Sequence, residues 1–114
     1  MNLTYAVDRL YDMGWRPANG AGAELERLED GRRYPSRIAV QNEFARSGLK
    51  LNIKPNLIFN CYQAVWCPVD EDFDPSTAHD AVHGTVVGSC EREAAVYALA
   101  QLISIQAEAQ LAMA

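Results

Sequence analysis

The sequence predicts one α+β domain: an antiparallel sheet of three or four strands with two helices packed on one face and an additional N-terminal helix. Three observations carry that expectation. Apolar residues recur at helical spacing near the start, in the middle and at the end of the chain. Between the second and third of these stretches they alternate, or run on, over strand lengths. Gly, Pro and Ser stand where helices would start or stop. With 114 residues, 49% apolar and 22% charged, residues 1–114 form a single domain with one core and an ordinary folded composition.

The first helix is expected over 3–13. Leu3, Val7 and Leu10, with Ala6 and Tyr11 beside them, share one face, and Thr4, Asp8, Arg9 and Asp12 the other. Asn2 can cap its start, Gly14 suits its end, and Trp15 can fold back on Leu10. Residues 16–35 support two readings. Leu25 and Leu28 suggest a helical turn, whereas Asp30-Gly31 is a favoured hairpin turn that would make 24–29 an edge strand.

The α-β-β-β-α core is expected over 36–107. Ser36 caps a helix with a buried stripe of Ile38, Val40, Phe44 and Ala45, and Gly48 ends it. Leu49, Leu51 and Ile53 alternate with Lys50, Asn52 and Lys54 as one strand, Pro55-Asn56 is its turn, and Leu57 to Trp66 is a long central strand. Residues 68–81, acidic and bracketed by prolines, read as an exposed loop. Val82 to Val87 supplies the third strand. The last helix has Ser89 as cap, Glu91 and Glu93 near its positive end, a core face of Ala95, Ala98, Leu99, Leu102 and Ile105, and a polar stripe of Glu93, Tyr97, Gln101, Ser104 and Glu108.

From Ser36 to about residue 105 this order, closing on Gly84-Thr-Val-Val-Gly-Ser-Cys-Glu-Arg-Glu-Ala-Ala-Val-Tyr-Ala-Leu-Ala-Gln-Leu, resembles the double-stranded-RNA-binding domain. The resemblance implies the fold. That family grips phosphate with lysines at the start of its last helix, where this chain has Cys90, Glu91, Arg92, Glu93 and Ala94, so the RNA-binding motif is missing.

The net charge of −5 is divided unequally: residues 1–54 hold nine basic and seven acidic side chains, and residues 55–114 hold one and eight. Nucleic-acid binding is therefore disfavoured, and any such contact falls to a face built from Arg32, Arg33, Arg37, Lys50 and Lys54. The start lacks the pattern of a secretory signal, the longest apolar run is far short of a membrane span, and three cysteines make no disulfide framework. Those features together predict a cytoplasmic chain without a membrane partner.

Three constellations invite chemistry. Cys61, Cys67, His79 and His83 fall in an order superficially like a zinc site, but on one strand the two thiols would stand roughly 20 Å apart. Asp70, Asp72 and Asp74 imitate a calcium loop that lacks its glycine and its glutamate. Cys90, at a helix start, could be a nucleophile with His83 or His79 as base, yet Glu91 and Glu93 oppose a thiolate there. No metal and no cofactor are expected. The expectation is a non-enzymatic protein-binding or accessory module, with a second copy as one candidate partner. A thiol-dependent enzyme and a nucleic-acid-binding domain are the alternatives.

Overall fold

A computed structural model describes residues 3–17, 25–70 and 83–113, with side chains through Leu111. Asn2, Glu24, Asp72, Asp74, His79 and Val82 lie outside these residues, as does most of the acidic loop. The described chain is α+β: α1 (Leu3–Asp12), β1 (Leu25–Arg27), β2 (Arg33–Pro35), α2 (Arg37–Arg46), β3 (Leu49–Asn56), β4 (Cys61–Pro68), β5 (Gly84–Gly88) and α3 (Glu91–Met113).

Helix α1 buries Ala6, Val7 and Leu10, the face its periodicity marks, and closes through Trp15, whose N–H donates to the Leu10 carbonyl at 3.3 Å. The open question over 16–35 resolves as a hairpin. β1 and β2 pair antiparallel around Asp30-Gly31, with the Leu28 N–H donating to the Arg32 carbonyl at 2.8 Å. They form a separate two-stranded sheet, so the main sheet has three strands in the order β3-β4-β5, all antiparallel.

Helix α2 starts at Ser36, whose hydroxyl accepts from the Ala39 N–H at 3.2 Å. Its buried stripe is narrower than expected. Val40 and Phe44 are buried, but Ile38 and Ala45 are exposed, because only the i, i+4 pair meets the sheet. Gln41 donates instead to the Leu51 carbonyl on β3, the outer strand.

The hairpin between β3 and β4 departs most from expectation. Pro55 and Asn56 lie within β3, paired with Tyr62 and Cys61, and the turn falls on residues 57–60. Three consecutive large apolar side chains look like strand. Here, however, Asn56 Oδ1 accepts from the Ile58 and Phe59 amides at 3.1 and 3.3 Å, and Asn60 adopts a left-handed φ of 50°.

On the covered face of the sheet, Leu49, Leu51, Ala64 and Trp66 meet α2 and α3. Trp66 pairs with Gly84 across β4 and β5, and a Cβ at Gly84 would stand 2.2 Å from the Trp66 ring. Only a glycine lets that indole approach β5 so closely. Phe44 packs on the other side of Trp66, with ring centroids 5.4 Å apart. Helix α3 touches all three strands, α2 and α1, so Ala94, Ala95, Val96, Ala98, Leu99, Ala100 and Leu102 are buried around nearly its whole circumference. Ile105 is half-buried, and every residue from Gln106 to Leu111 is exposed.

Truncating either Phe44 or Leu102 to alanine should cost about 2 to 5 kcal/mol, and Gly84→Ala about 1 to 3 kcal/mol through overpacking against Trp66. Urea midpoints read these losses. A Gly84→Ala protein as stable as the parent would contradict the contact.

Candidate functional site

The start of α3 gathers the polar groups that attracted attention in the sequence, in a different arrangement. Cys90, not Ser89, occupies the cap position. Its carbonyl accepts from the Ala94 N–H at 3.0 Å and its Sγ from the Glu93 N–H at 3.4 Å. Glu93 is not on a solvated stripe but fully buried, and its Oε2 accepts from the Ser89 N–H. The pair is a variant of the capping box, with sulfur in place of a hydroxyl and the carboxylate reaching one residue further back, to the amide before the cap. Gly88 permits it, since a Cβ there would stand 2.6 Å from the Ala94 nitrogen. The Cys-x-x-Glu spacing was the available signal for Glu93, hidden because cysteine is not an expected cap residue.

Glu93 Oε1 and Trp66 Nε1 are buried without a hydrogen-bond partner among the described residues. Tyr97, one turn beyond Glu93, has its hydroxyl pushed above the ordinary tyrosine range, first by burial and then by the Glu93 charge. Tyr34 is pushed the same way, first by burial and then by Glu26, against the opposing pull of Arg92. Arg92 pairs with Glu26 at 3.1 Å and Arg37 with Glu91 at 3.7 Å, tying the small hairpin and α2 to the start of α3.

The chemical sets are largely taken apart. Cys61 and Cys67 stand at opposite ends of β4. Among the described residues no group of three or more metal-ligating side chains comes together. Asp70 lies just past β4. His83 precedes β5 and Cys90 follows it, so five strand residues, about 3.3 Å each, separate them. None of the three cysteines is in a disulfide.

The cations do not form one face. Arg32 pairs with Asp8 and Asp30, and its amide hydrogen bond is the main reason the Asp30 carboxyl sits below the usual range. Arg33 is on β2, whose carbonyl at that residue accepts from the Tyr11 hydroxyl at 2.8 Å, so this group lies beside α1. Lys50 and Lys54 alternate with Leu49, Leu51 and Ile53 on β3 and therefore project from the sheet face opposite the helices.

The exposed apolar surface sits elsewhere. At the β3–β4 tip Leu57, Ile58 and Phe59 are 88%, 87% and 76% exposed. Periodicity concealed this, because an apolar run is as good a strand signal as a turn is a poor one. No helix among the described residues is long and apolar enough to cross a membrane. Comparison with protein-family models, with curated proteins and with solved structures finds no match to this chain.

Two outcomes test the α3 start. Serine is a better cap acceptor than a thiol, so Cys90→Ser should match the parent or exceed it by up to about 1 kcal/mol, while Cys90→Ala loses about 1 kcal/mol. Equal losses in both would show that the sulfur does not cap. For Tyr34, a raised native pKa means that its contribution is complete below the unfolded value of about 10 and vanishes as pH rises through the native one. Tyr34→Phe should therefore shift the alkaline unfolding midpoint upward, and an unchanged midpoint contradicts the burial argument.

Proposed function

We propose that this chain is a non-enzymatic binding or accessory module whose partner is protein and whose contact is centred on the β3–β4 tip. One observation carries the reading: three large apolar side chains stand in water on a turn held by Asn56 and Asn60. Water-exposed Leu, Ile and Phe side chains in one cluster mark interaction sites, since each loses solvent-exposed area only on association. The turn fixes them beforehand, which reduces the ordering cost of binding. The separation of Cys90 from His83 by β5, and of the two cation groups by the sheet, gives the catalytic and nucleic-acid alternatives no comparable focus. Absence of a membrane-spanning helix among the described residues fits a module working in the cytoplasm.

A photoreactive benzoylphenylalanine at position 58, in cells producing the chain at its natural level, should give a discrete protein adduct on irradiation. The same group at position 38, a half-exposed site on α2, serves as the control. Adducts from 58 no stronger than those from 38 would remove the tip as a contact site.

A further inference from the structure

We propose that Arg27 and Arg33, opposed across the β1–β2 hairpin, hold a phosphorylated side chain of a protein partner. The anion site stands on the hairpin alone, and its protein carrier rests on the binding-module reading.

Register brings the two arginines together. Arg27 pairs with Arg33, one step from the Leu28 amide that donates to the Arg32 carbonyl at 2.8 Å. Hydrogen-bonded and non-hydrogen-bonded pairs alternate along an antiparallel ladder. With residues 28 and 32 bonded, Arg27 and Arg33 form the closer kind of pair, Cα atoms about 4.5 Å apart and side chains on one face. Glu26 and Tyr34 point the other way, and Tyr34 is buried whereas both arginines are exposed.

Like charges directly opposite each other destabilise a strand pair. Arg32, next to them, is neutralised by Asp8 and Asp30, but neither Arg27 nor Arg33 makes an ion pair among the described residues. Two adjacent guanidiniums without a carboxylate are complementary to an anion that accepts from both forks. The backbone beneath them is held, since the Tyr11 hydroxyl donates to the Arg33 carbonyl at 2.8 Å. The Arg16 guanidinium lies over the same tyrosine ring, 5.1 Å from its centroid, as a further cation.

The surroundings select the ligand. Asp8 and Asp12 on α1, and Glu29 and Asp30 at the hairpin turn, are exposed. A nucleic-acid backbone running on past the arginines would meet these carboxylates, whereas a single compact dianion would not. An open hairpin face also gives no enclosure to the body of a small metabolite, so the other contacts must come from a larger carrier. Glu26 pairs with Arg92 at 3.1 Å, and α3 begins at the sheet end where Gly88 pairs with Tyr62, so the hairpin and the exposed tip share one end of the molecule.

NMR at the arginine Nε–H groups of the full chain tests the site. Inorganic phosphate and blocked phosphoserine should both shift Arg27 and Arg33 saturably, and Arg27→Gln and Arg33→Gln should each weaken binding on the order of tenfold. Both variants should be at least as stable as the parent in phosphate-free buffer, because each removes a repulsion. Absence of shifts, binding unchanged in both variants, stability lost in both, or tighter binding of single-stranded oligothymidylate would overturn the inference. For the carrier, benzoylphenylalanine at the exposed position 29 should give a protein adduct that disappears after phosphatase treatment of the cell extract and in Arg33→Gln. No adduct, or one indifferent to phosphatase, would overturn the protein carrier in favour of a free phosphate compound. Adducts from position 58 that persist while the arginines bind no phosphate would overturn the site and leave the tip reading standing.

Discussion

The close packing of the Trp66 indole on Gly84 is the constraint from which the remaining architecture follows. Trp66 is among the largest fully buried side chains, it sits in the central strand, and its ring meets Phe44 as well as β5. A β-carbon at residue 84 would lift the ring and with it the layer occupied by α2 and α3. The register that brings Trp66 over Gly84 also pairs Tyr62 with Gly88, which sets where β5 stops and where α3 begins. One aromatic-on-glycine contact thereby couples strand alignment to helix placement.

Helix α3 transmits that placement through the molecule. Its first half is enclosed by the sheet, α1 and α2, which small residues allow: Ala94, Ala95, Ala98 and Ala100 bring neighbouring backbones close. Enclosure explains why Glu93 is buried, with its carboxylate folded back on Ser89 to satisfy an amide at the helix start. The same geometry carries the last turns past the sheet into solvent. The packed and the exposed parts of α3 are thus two consequences of one helix being longer than the sheet it covers.

Much of the architecture was legible in the sequence. Period-3.6 and period-2 patterns gave the helices, the β3 alternation and the central position of β4, and Asp30-Gly31 held the hairpin as one of two readings. Local pattern failed where tertiary surroundings decided. Ile38 and Ala45 lie on a stripe left exposed by the described residues, and Glu93 on a stripe that is enclosed. At residues 57–59, Asn56 capping the turn outweighs the strand preference of Leu, Ile and Phe. The exposed tip was therefore the feature least visible beforehand: its residues carried the signature of a buried strand, and only the hydrogen bonds to Asn56 and the left-handed Asn60 distinguish the two.

Native-state hydrogen exchange, residue by residue, tests most directly whether Trp66 and α3 hold the fold together. The account places the slowest amides on β4 from Ala64 to Trp66 and on α3 from Ala95 to Leu102, opening only with global unfolding, and faster exchange in the β1–β2 hairpin. Slowest protection in the β1–β2 hairpin, with β4 exchanging through local opening, would contradict it.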